Sequence, residues 1–168
     1  PPTLKKLPVE VNIPEHIAMH GYENDATEAQ RAIGDLVLIA FYFLLRVGEY
    51  TTKSKRPNTK RTVQFKLEDI TFFGHDKLGR LRQLPHNATP ADILMAHSAT
   101  MKIDNQKNGW KGVCIHQEAN GEEFLCPVQA LGRRVLHMKT NHATRNTSIS
   151  SYFVAGKQFE VTDKHIRL

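Results

Sequence analysis

A chain of 168 residues is long enough to bury a core without disulfide or metal staples, and one domain is the default at this size. Lys and Arg (23) outnumber Asp and Glu (17), and the resulting net charge of +6 favours a polyanionic partner. The only cysteines are Cys114 and Cys126, and no basic, apolar, small-residue leader opens the chain, which argues against a disulfide-built secreted domain and for a reducing, intracellular compartment.

Residues 1–14 carry four prolines and little periodicity, so they read as an extended lead-in or linker, with a single domain over 15–168. Asn24, Asp25 and Thr27 offer N-caps to a helix that runs through Ala29, Ala32 and Ile33 into ten consecutive apolar residues, Leu36 to Leu45. Ten are too few for a bilayer, which needs about 20. The segment predicts a helix from about Thr27 to Val47, buried on nearly all sides, with Arg46 at its end and Gly48 helping to stop it. A guanidinium cannot shed its charge, so Arg46 at the end of a core element needs a carboxylate or an anionic ligand such as phosphate.

A polar, basic loop follows, with Lys53, Lys55, Arg56, Lys60 and Arg61. Alternation of Val63, Phe65 and Leu67 then predicts a strand within Thr62–Phe73, with a turn at 74–79. Ala99–Lys107 and Trp110–His116 flank Asn108-Gly109, the strongest short-range hairpin signal. Cys126-Pro127 starts a helix with Val128, Leu131, Val135, Leu136 and Met138 on its apolar side and Arg133 and Arg134 toward solvent. Residues 140–151 read as loop, and a last helix begins near Val161, capped by Thr162 or Asp163. The fold class is α+β, mainly helical with a small antiparallel sheet. A start at Pro1 and an end inside that last helix suggest a piece of a longer protein.

Leu44-Leu45-Arg46-Val47-Gly48-Glu49 resembles the first arginine box of tyrosine recombinases and phage-type integrases, Gly-Leu-Arg-x-Ser-Glu or a near variant, with a leucine in place of the glycine. Phe65-Lys-Leu-Glu-Asp-Ile70 is similar to the family's next segment, and the hairpin around Asn108-Gly109 to its lysine-bearing β-hairpin. The order of elements, with Cys126-Pro127-Val128 opening the next helix, is most like integrase-related domains of mobile elements in microbial eukaryotes.

That resemblance implies duplex DNA as partner and strand cleavage through a phosphotyrosine link, with two arginines clamping the phosphate oxygens. Arg46 would be one clamp and Glu49 the carboxylate that orients it. Lys107 is the best match to the lysine that protonates the departing 5′ oxygen, with Lys102 and Lys111 competing. Lys53, Lys55, Arg56, Lys60, Arg61, Lys102 and Lys111 would add backbone contacts, and Trp110 would stack on a sugar or base or else cover core. No cofactor, metal or membrane is implied, the compartment would be the nucleus in a eukaryotic host, and the full-length protein would self-associate on paired sites.

The second arginine box is not convincingly present. His142-Ala-Thr-Arg145 matches His-x-x-Arg in letters, yet Thr140, Asn141, Thr144, Asn146 and Thr147 surround it without apolar periodicity, and His165-Ile-Arg167 has the wrong spacing. The box and the nucleophilic tyrosine are then expected beyond Leu168, which makes Tyr50 and Tyr152 poor nucleophiles and the fragment alone inactive. The alternative is a catalytically inactive, integrase-derived DNA-binding or protein-interaction domain, in which Arg46 and Glu49 only pair with each other. Cys114, His116, Cys126 and His137 supply zinc-type ligands, but their spacing matches no zinc knuckle and small structural cysteines are the commoner explanation.

Overall fold

In a computed structural model that describes residues 9–52, 64–103 and 112–167, the described residues form six helices, a four-stranded antiparallel sheet and a separate two-stranded hairpin. The chain is α+β, as its pattern predicts.

The long helix α2 (Glu28–Tyr42) begins where Thr27 closes a capping box: its hydroxyl accepts the Gln30 N–H at 3.2 Å, and the Gln30 side chain accepts the Thr27 N–H at 2.8 Å. Leu36, Leu38 and Ile39 are fully buried. The helix ends before Val47, contrary to its unbroken apolar sequence. Leu44 turns left-handed (φ 57°), and the Leu45 N–H reaches back to the Ala40 carbonyl at 2.9 Å. This closure normally uses glycine, so a leucine there gives no signal of a helix end.

Helix α1 (Asn12–His20) starts inside the predicted lead-in, because Pro14 lies in a first turn whose N–H groups need no intrahelical partner. It packs closely on α2: a Cβ at Gly34 would lie 3.1 Å from the Ala18 Cα. Helix α3 (Val47–Tyr50) is a single turn. The predicted strand over 62–73 is also revised: 62 and 63 lie outside the described residues, Leu67–Asp69 form a 3-10 turn, and strand β1 is Ile70–His75. The turn forms where Asp69 accepts the Lys66 N–H at 2.9 Å.

Strand β2 (Leu81–Gln83), the short helix α4 (Pro90–Leu94), β3 (Ser98–Ile103) and β4 (Val113–Glu118) follow, giving a sheet ordered β2-β1-β3-β4. The β3–β4 pairing, from Ser98↔Glu118 to Ile103↔Val113, joins the two runs that flank Asn108-Gly109 as an antiparallel pair, and 104–111, with the predicted turn, lie outside the described residues. Side chains alternate across the sheet. Ile70, Phe72, Ala99, Met101 and Ile115 share the core face, while Lys102, Cys114 and His116 share the outer one.

Helix α5 (Pro127–Thr140) lies against α2 and buries Val128, Leu131, Val135 and Met138. Strands β5 (Ser151–Val154) and β6 (Lys157–Glu160) turn on Ala155 and Gly156, both left-handed. The sequence reading has no strands here, since alanine hides the turn. Helix α6 (Asp163–Ile166) follows Thr162. Among the described residues no helix is long and apolar enough to cross a membrane.

Candidate functional site

Helix α2 delivers the chain to Arg46 by a fixed path. The Gln117 amide of β4 donates to the Tyr42 carbonyl at 2.9 Å, occupying one of the acceptors that a helix end leaves open. Two residues after the left-handed Leu44, Arg46 takes an extended conformation (φ −80°, ψ 151°) and becomes the N-cap of α3. It therefore opens a helix and does not end one. Its side chain is exposed.

Glu49 does the opposite. It is 2% exposed, and its Oε2 accepts the Arg46 backbone N–H at 2.7 Å. The carboxylate thus holds the arginine through its main chain, where a direct grip on the guanidinium was one expectation. Burial pushes the Glu49 carboxyl above the usual carboxylate range, and the Arg46 N–H and the nearby guanidinium charge offset part of that rise. Oε1 is buried without a hydrogen-bond partner among the described residues. Further bonds fix the turn: the Phe65 N–H donates to the Glu49 carbonyl at 2.9 Å and the Thr52 N–H to Val161 at 2.8 Å. Among the described residues the Arg46 guanidinium makes no hydrogen bond or ion pair. A cation of this kind, exposed on a braced backbone, can meet an external oxyanion.

Lys102 projects from the outer face of β3, opposite Cys114. Lys107, Lys111, Trp110 and the basic residues Lys53, Lys55, Arg56, Lys60 and Arg61 lie outside the described residues. Arg46 and Glu49 are brought together, and Lys102 stands on a different element. Tyr50 is buried, which raises its phenol, and Tyr152 stacks on Phe159 with ring centroids 5.6 Å apart. His142 and Arg145 follow the end of α5 in a loop, His142 with φ 60° and Arg145 exposed, 3.9 Å from Glu68. Cys114 is exposed and Cys126 buried, and among the described residues no three His, Cys, Asp or Glu side chains are grouped to hold a metal.

The sequence reading missed a second charged centre. Arg133 and Arg134, expected in solvent, turn inward to Asp35 on α2. Asp35 Oδ1 accepts Arg133 Nε at 3.0 Å, Arg133 Nη2 at 2.9 Å and the Tyr22 hydroxyl at 3.0 Å, while Oδ2 accepts Arg134 Nε at 2.9 Å. Arg134 is 4% exposed. The clue was an aspartate at the head of the apolar run facing an arginine pair on another amphipathic helix. No protein-family model, curated protein or solved structure matches the chain.

Proposed function

We propose that the chain binds duplex DNA through backbone phosphates, as the part of a tyrosine-recombinase-like domain that carries the first arginine. The observation behind this reading is the exposed Arg46 guanidinium, unpaired among the described residues, on a backbone that the buried Glu49 holds in place. Its setting also suits the arginine box: Leu44, within the segment that resembles the motif, takes the positive φ that glycine adopts most readily. The net charge of +6 favours the same partner.

In this role Arg46 is a phosphate clamp, Glu49 positions it, and Lys107 is the general acid toward the leaving 5′ oxygen. Lys53, Lys55, Arg56, Lys60, Arg61, Lys102 and Lys111 supply contacts that hold the duplex without reading its sequence. Strand breaking and rejoining needs a second arginine and a tyrosine nucleophile in addition. The competing reading is an inactive relative that binds DNA or a protein partner. Fluorescence anisotropy with a labelled duplex over a salt series separates DNA binding from the protein-interaction alternative, since each neutralised phosphate steepens the fall of log K with log salt. A steep slope supports the DNA reading. No binding at low salt rejects it and leaves the protein-interaction alternative.

A further inference from the structure

The Asp35 centre has more cation than anion. Arg133 and Arg134 converge on one carboxylate, and Asp35 already accepts four donors. Arg31, the third cation here, gives its Nη1 to Glu28 at 2.8 Å, and its exposed side chain also lines the cavity from α2. Counting Arg31, Arg133 and Arg134 against Asp35 and Glu28 leaves one uncompensated positive charge. Burying a guanidinium with an open donor is costly unless an anion meets it. Arg134 Nη1 is such a donor, buried and without a partner among the described residues.

The surplus lies beside empty space. A cavity of about 320 Å³, walled by Gly21, Tyr22, Arg31, Asp35, Arg133 and Arg134, opens between α1, α2 and α5. That volume is at the small end of ligand sites, roughly 300–1,000 Å³. The Arg133 guanidinium lies 4.7 Å from the centre of the Tyr22 ring, which fixes its plane along one wall. Asp35 is about 10 Å of helix away from Tyr42, at ~1.5 Å per residue, so this centre is separate from the Arg46 turn.

We infer that this cavity binds a phosphate group, either free inorganic phosphate or the phosphate of a small phosphate ester. Guanidiniums from two helices offer forks at different angles, which suits a tetrahedral oxyanion with several acceptor oxygens better than a planar carboxylate with two. Asp35 is the positioning residue, because it takes Arg133 Nε and Nη2 and Arg134 Nε and aims what remains of each fork. The inference does not depend on DNA binding.

The test is an NMR titration of arginine Nε–Hε resonances in the whole chain, adding inorganic phosphate, glycerol phosphate or acetate at constant ionic strength and pH. Saturable shifts of Arg133 and Arg134 with either phosphate are expected, several-fold weaker with acetate. Tighter binding of glycerol phosphate identifies an ester as the ligand, and tighter binding of phosphate identifies the free ion. Arg31→Ala removes an exposed side chain and should fold normally while weakening phosphate several-fold. Absence of saturable shifts at tens-of-millimolar phosphate, equal response to acetate, or unchanged affinity in Arg31→Ala would overturn the assignment.

Discussion

The carboxylate of Glu49 and the backbone N–H of Arg46 are 2.7 Å apart, so the acid grips the arginine's main chain and leaves its guanidinium to solvent. Helix capping by a third-position glutamate does structural work here, and the same bond sets the direction in which a cation is presented. Removing either residue should therefore have different consequences.

Glu49 carries a pH signature. Its folded-state pKa lies above the usual 4.5, so the native state holds its proton more tightly than the unfolded chain. Stability from this group is fully present below about pH 4.5 and is lost as pH rises through the folded value. Glu49→Gln keeps an oxygen for the Arg46 N–H and cannot ionise. The difference in unfolding free energy between wild type and Glu49→Gln should thus move against wild type as pH rises from 4.5, measured by urea denaturation.

His137 has the opposite sign. Its Nε2 accepts the Phe153 N–H at 2.9 Å, which requires the neutral ring, and burial followed by the Arg134 charge lowers its pKa below 6.5. Its contribution is present above pH 6.5 and declines as pH falls through the folded value. An NMR titration should place the His137 midpoint below 6.5, with the Phe153 amide shifting in parallel.

Asp35→Ala leaves two guanidiniums facing each other without a counter-charge. Breaking a buried pair from one side costs about 3–5 kcal/mol, and the loss here should reach at least that range. Chemical denaturation measures it. A loss under about 1 kcal/mol, the scale of an exposed ion pair, would mean that water reaches the centre freely.

Gly34→Ala tests the α1–α2 contact. The new methyl would meet Ala18 Cα at 3.1 Å and its carbonyl oxygen at 3.2 Å, backbone atoms that yield only if the helices separate. Overpacking of this kind costs about 1–3 kcal/mol, and thermal denaturation should show the loss.

The physical reasons for what the sequence made legible are local. Thr27, one of three N-cap candidates, and Pro127 after Cys126 mark helix starts through side-chain chemistry, and both stand at observed helix starts. Asn108-Gly109 between alternating runs foretells the β3–β4 pairing. The failures sit where a residue adopts a backbone it does not advertise: Leu44 in the left-handed region ends α2 early, and Ala155 turns a hairpin without the usual first residue. The Asp35 centre was hidden for another reason. Its partners lie 98 and 99 residues away, so pairing depends on how α5 docks on α2, which no local pattern encodes. Arg46 and Glu49 were found as a pair, but the atom that joins them is main chain, and spacing alone does not distinguish that bond from a side-chain ion pair.

Whether Arg46 contacts a DNA phosphate is measured by duplex affinity over a salt series for wild type beside Arg46→Ala, with melting temperatures of both. An exposed side chain without partners among the described residues should cost at most about 0.5 kcal/mol of stability when removed. A phosphate-clamping Arg46 gives matched melting temperatures, weaker binding and a log K–log salt slope shallower by about 1 in Arg46→Ala. Unchanged affinity and slope in a folded Arg46→Ala protein would contradict that role.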